Sequence, residues 1–69
     1  MHDKVKYMVA LIAEFASHHH LTDAQAYRYL RLHGAIDLCD EFYQTMHTLS
    51  FNDNVENLTI FCRNKGGEL

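Results

Sequence analysis

An all-α fold, a single small orthogonal bundle of about four short helices, is what this sequence predicts, and three observations predict it. Proline is absent and glycine occurs only at Gly34, Gly66 and Gly67. The chain therefore lacks the punctuation that strands and hairpins need. Apolar residues recur at three- and four-residue spacing in successive blocks, which is the helical period. Finally, 69 residues are too few for a TIM barrel, a doubly wound nucleotide-binding domain or a multidomain enzyme. One domain over residues 1–69 is expected. Its core would be thin and its stability marginal unless a partner shares the load. A composition 48% hydrophobic and 22% charged argues against disorder.

The elements follow in chain order. Val5, Met8, Val9, Ile12, Phe15 and Ala16 fall within one arc at 100° per residue, giving an amphipathic helix over 3–18 with that arc inward and Tyr7 outside it. Thr22 and Gln25 are spaced as a capping box, with Leu21 placed to staple onto Ala26, so a second helix is predicted over 23–33. It would turn Ala26, Tyr27 and Leu30 inward and stop at Gly34, which fits a left-handed closing position. Asp37 can cap a third helix over 37–48, facing inward through Cys39, Phe42, Met46 and Leu49. The run Ser50-Phe51-Asn52-Asp53 breaks the period. Asp53 and Glu56 then give a fourth helix, over 53–64, an acidic start, and Val55, Leu58, Phe61 and Cys62 line its inner side. Gly66 to Leu69 reads as a short tail. The second and third helices, joined so tightly, are expected to cross steeply.

Charge is unevenly placed. Residues 1–34 hold Lys4, Lys6, Arg28 and Arg31 against Asp3, Glu14 and Asp23, together with five of the six histidines, including His2. Residues 35–69 hold Arg63 and Lys65 against Asp37, Asp40, Glu41, Asp53, Glu56 and Glu68, so the second half carries −4 and the first +1, for a net charge of −3. A helix-turn-helix reading of DNA, with residues from Asp37 to Gln44 in the groove, would set those carboxylates against phosphates. It stands only as an alternative. Cys39 and Cys62 are too far apart for a zinc ribbon or a redox pair and are expected to be reduced core thiols. His18, His19 and His20 are the visible metal candidates, but adjacent helical residues diverge by about 100° and no HxxxH pair supplies a rigid two-ligand face. No metal site is expected, and a solvated helix end with His19 turned onto the core is the simpler reading, with a histidine-based metal-binding module as a further alternative. Asp40, Tyr43 and His47 share a stripe that could hydrogen-bond in series. With no oxyanion or phosphate loop and little room for a dry pocket, neither catalysis nor a cofactor is expected from it. His47 is instead expected to bond a backbone carbonyl or to act as a contact residue.

What remains points to an interaction surface. Tyr29 and Leu32 lie off the inner face of the second helix and Ile60 lies opposite Leu58. Tyr27, Arg28, Tyr29, Arg31 and Leu32, with Tyr43 and His47, are the residue types that anchor protein interfaces, so they are the predicted partner-binding set. The occupant would be a protein partner or a second copy of the chain. No membrane helix or signal peptide is legible, and a cytoplasmic location is expected.

At Ala26-Tyr27-Arg28-Tyr29-Leu30-Arg31-Leu32-His33-Gly34-Ala35-Ile36-Asp37, followed by Glu41-Phe42-Tyr43 and Met46-His47-Thr48, the chain resembles a family of short bacterial proteins catalogued as domain of unknown function 3791. The resemblance runs from the first helix to about Phe61. The family pattern is a Ser/Thr-led helix with a lysine- and glycine-rich stop, an isoleucine-aspartate helix start, then tyrosine, two residues, an apolar residue, histidine and threonine. Arg31-Leu32-His33 replaces the lysine-rich stop here, and Leu49-Ser50-Phe51 replaces a glutamine-glycine turn. Members look like small companions of larger proteins, some encoded beside proteins resembling ADP-ribosyltransferase toxins. The resemblance thus implies an antitoxin-like or accessory role and carries over no catalytic residue.

Overall fold

Five helices order the chain in the computed structural model, which describes residues 3–68: α1 (Asp3–His18), α2 (Asp23–Leu32), α3 (Ala35–Glu41), α4 (Tyr43–Met46) and α5 (Phe51–Asn64). Met1, His2 and Leu69 lie outside the described residues, and so does the reading placed on His2. Among the described residues the fold is all-α, a small bundle without strands.

Each boundary has a local cause. α1 ends where His20 adopts φ 60°, which lets the Leu21 amide reach back to the Ala16 carbonyl at 2.8 Å. That is a Schellman closure with histidine in the seat glycine usually takes. α2 starts at the predicted capping box: Thr22 Oγ1 accepts from the Gln25 amide at 3.0 Å, and the Thr22 amide donates to Gln25 Oε1 at 2.9 Å. Gly34, at φ 79°, closes α2 and also serves as the N-terminal cap of α3, where the Leu38 amide donates to its carbonyl. α3 therefore begins at Ala35 rather than at Asp37, and no side-chain cap is used.

The predicted third helix over 37–48 is divided. Phe42, at φ −106° and ψ 23°, leaves helical geometry and turns the chain into α4. Cys39 and Met46 remain buried on either side of the break, while Phe42 is 47% exposed and Leu49 is exposed as well. An unbroken helical period would turn both inward; the break at Phe42 turns them out. α5 starts at Phe51, two residues before the expected Asp53, because Ser50 Oγ accepts from the Asp53 amide at 3.1 Å. At its far end Gly66, at φ 92°, and the Gly67 amide, bonded to the Cys62 carbonyl at 2.8 Å, form a second Schellman closure. The supposed tail thus folds back onto the bundle. A Cβ at Gly67 would stand 2.9 Å from both the Cys62 carbonyl oxygen and Tyr29 Cζ.

The core gathers Leu11 and Phe15 from α1, Leu30 from α2, Cys39 from α3, and Leu58 and Cys62 from α5, all essentially without solvent contact. This corrects the inner arc of α1. Val5 and Val9 are 70% and 62% exposed, whereas Leu11 is buried and Tyr7 packs against the core. Tyr7 turns inward because its hydroxyl has polar company there. Asn54, fully buried on α5, donates one amide hydrogen to Tyr7 Oη at 2.7 Å and the other to the Met46 carbonyl at 2.8 Å, and Tyr7 Oη donates to that same carbonyl at 3.1 Å. The triangle ties α1, α4 and α5 together at the last carbonyl of α4, which also accepts from the Leu49 amide at 3.0 Å. Tyr7 also stacks on Phe51, with ring centroids 5.5 Å apart.

Burial of the two thiols is complete. Desolvation raises both, to about 11 for Cys39, where the nearby Cys62 adds to the effect, and to about 11 for Cys62.

Candidate functional site

Rotating the inner face of α1 toward Leu11 leaves Val5 and Val9 exposed, in line with Met8 and Ile12, which are half-buried against the core. Val5, Met8, Val9 and Ile12 stand at i, i+3, i+4 and i+7, one side of two helical turns. Across from them are Tyr27 of α2, 45% exposed, and Ile36 of α3. Together they wall an open groove of about 500 Å³. Its polar edge is formed by Asp37 and Asp40 of α3 and by Lys4, whose ammonium pairs with the Asp40 carboxylate. α3 is placed there by the Gly34 turn, so a backbone conformation between two helices sets the acidic edge beside the apolar floor. Lys4 also lies 5.7 Å from the Tyr43 ring centroid, within range of a cation–π attraction.

The predicted partner-binding residues are distributed over three places. Tyr27 lies on the groove. Arg28, Arg31 and Leu32 line a separate shallow hollow on α2, where Leu32 is 78% exposed. Tyr29 is not a surface residue of that hollow. Its ring stacks on Phe15, with centroids 6.0 Å apart, and lies 4.5 Å from the His33 ring. Its hydroxyl is buried with no hydrogen-bond partner among the described residues, and burial raises its pKa. Tyr29 and Leu32 therefore do not merge into one patch. Tyr27, conversely, stands exposed on the groove and not on the inner face of α2 that the helical period predicts for it.

Tyr43 and His47 stack nearly parallel, with centroids 5.0 Å apart, against the edge of Tyr7. His47 Nδ1 donates to the Gln44 carbonyl at 2.9 Å and the Tyr43 carbonyl at 3.2 Å. It closes α4, one of the two roles its position suggested. Asp40 pairs with Lys4, so the stripe Asp40, Tyr43 and His47 is joined by stacking and an ion pair, not by a hydrogen-bonded series.

Of the three adjacent histidines, His18 and His19 stand with ring centroids 5.0 Å apart. His19 lies over Phe15, ring centroids 4.6 Å apart. Its Nε2 is 2.8 Å from Thr59 Oγ1, and because that hydroxyl donates to the Val55 carbonyl, the imidazole must be the donor between them. Burial, then the neighbouring charges of His18, Arg63 and His20, lower the His19 pKa from its ordinary value. His18 is exposed and stands edge-on to His19, and His20 is exposed in a left-handed backbone conformation. Among the described residues no three His, Cys, Asp or Glu side chains are grouped to hold a metal ion. No described helix is long and apolar enough to cross a membrane.

Sequence reasoning missed Val5 and Val9 as surface residues and Asn54 as a core residue. The signal for the first pair was present: α1 carries apolar residues over more of its circumference than one neighbour can cover.

The fold and groove define a small all-α protein with an exposed apolar groove bordered by carboxylates. Its family is shown by comparison: the family model described as a protein of unknown function, DUF3791, matches residues 6–65, and the chain belongs to that family. No match was found among curated proteins or solved structures.

Proposed function

We propose that this protein is an interaction module that docks a protein partner in the groove between α1, α2 and α3. The observation that carries the reading is the exposure of Val5 and Val9 in line with the half-buried Met8 and Ile12, beside Tyr27. Single exposed apolar residues are ordinary, but a contiguous apolar stripe walled on its far side by an aromatic ring is the form of a recognition groove. Aromatic residues on such a floor concentrate binding energy. The finer role follows the family resemblance: an antitoxin-like or accessory companion of a toxin-like enzyme encoded beside it. A DNA-reading role for α3 has the opposite electrostatics, since Asp37, Asp40 and Glu41 are all exposed on that helix.

The test is co-purification with the product of the adjacent gene. Val5→Asp and Val9→Asp are expected to abolish retention, while Leu32→Asp, on the separate hollow, leaves it intact. Retention unchanged by both valine substitutions overturns the groove as the working surface.

A further inference from the structure

We infer that the groove takes an amphipathic helix of the partner whose apolar stripe is flanked, on the edge meeting α3, by lysine or arginine. This rests on the docking reading above and adds the chemistry of the occupant. Two independent features carry it.

The first is shape. From Val5 to Ile12 the floor extends about 10 Å along α1 at 1.5 Å per residue, with Tyr27 and Ile36 as the opposite wall. A trough of that length accepts two turns of a helix presenting anchors at i, i+3 or i+4, and i+7.

The second is charge. α3, with the sequence Ala-Ile-Asp-Leu-Cys-Asp-Glu, carries three carboxylates and no cationic side chain. Asp40 is engaged by Lys4. Asp37 lines the groove and has no ion-pair partner among the described residues, so among those residues the α3 edge keeps one carboxylate beyond the Lys4–Asp40 pair. A helix with a basic residue toward α3 gains at Asp37, while one with an acidic residue there is repelled. The contrast is a surface effect and weakens with salt.

The experiment uses the full chain, isotopically labelled, titrated with two synthetic helical peptides that share one leucine stripe. One carries lysine along a single edge, the other glutamate at the same positions. The lysine peptide is expected to bind about tenfold tighter at low salt, with shifts centred on Val5, Val9, Tyr27 and Ile36. Asp37→Lys is expected to narrow that gap, and Val9→Asp to remove binding. Equal or tighter binding of the glutamate peptide overturns the inferred charge and leaves docking in the groove standing. So does failure of both peptides while the adjacent gene's product is still retained through Val5 and Val9. A wild-type chain that is dimeric alone and becomes monomeric with Val9→Asp assigns the groove to a second copy and overturns the inference. Binding of both peptides undiminished by Val9→Asp overturns the groove itself, and the docking reading with it.

Discussion

On one flank of α1, Leu11 and Phe15 are sealed beneath α2 and α5, whereas on the other Val5 and Val9 stand in the open beside Tyr27. Both flanks are apolar, so hydropathy does not separate them. What differs is the polar fittings. The sealed flank has the Asn54 triangle at one end and the His19–Thr59 hydrogen bond at the other, each joining α1 and its C-terminal turn to α5. A helix with two apolar sides is fixed in rotation by the side where its polar atoms also find partners, because a buried polar group without one is costly. The leftover side is then available for another molecule.

Breaking the sealed flank should have the largest effect. Phe15→Ala removes the aromatic ring between His19 and Tyr29 and is expected to cost about 3–5 kcal/mol, measured by urea denaturation. For a domain this small that approaches its whole stability. Gly67→Ala forces a methyl group against Tyr29 and the Cys62 carbonyl and should cost about 1–3 kcal/mol by overpacking. Tyr29→Phe removes a buried hydroxyl that has no partner among the described residues; by itself it should be nearly neutral, and it should partly rescue Gly67→Ala. His20→Gly relieves the left-handed histidine at the end of α1 and is expected to stabilise by about 0.5–1 kcal/mol.

A smaller effect is expected from pH. The fold lowers the His19 pKa, so it favours the neutral imidazole. That contribution is complete above the unfolded value of about 6.5 and is lost as pH falls from there through the lower folded pKa. The melting temperature should therefore fall between pH 7.5 and pH 5, and by less in His19→Gln. Last comes the open flank. Val9→Asp should alter stability by no more than about 0.5 kcal/mol, since the residue lies mostly in solvent. A loss comparable to that of Phe15→Ala would mean the two sides of α1 are not distinct.

Much of this architecture was legible before any coordinates. The Thr22–Gln25 capping box, the left-handed Gly34 and the turning of His19 onto the core are local or nearly local events, and their residues announce them. The break at Phe42 was not legible, because the apolar spacing of Cys39, Phe42 and Met46 is equally good for a continuous helix. Asn54 was not legible either: its burial depends on Tyr7, 47 positions away, and nothing in the Asn54 neighbourhood encodes that distance. The groove was half visible. Tyr27 was among the expected contact residues, but Val5 and Val9 looked like core, since a helical wheel finds the most apolar arc and not the one its neighbours cover.

Cys39 and Cys62 give the molecule a built-in reporter of its own opening. With both thiols enclosed and held near 11, a thiolate-specific reagent at neutral pH meets almost no nucleophile while the bundle is closed. Labelling then proceeds only through transient exposure, so its rate follows the population of opened chains. Because one sulfur belongs to α3 and the other to α5, comparing their two rates distinguishes loosening of the short middle helix from collapse of the whole bundle.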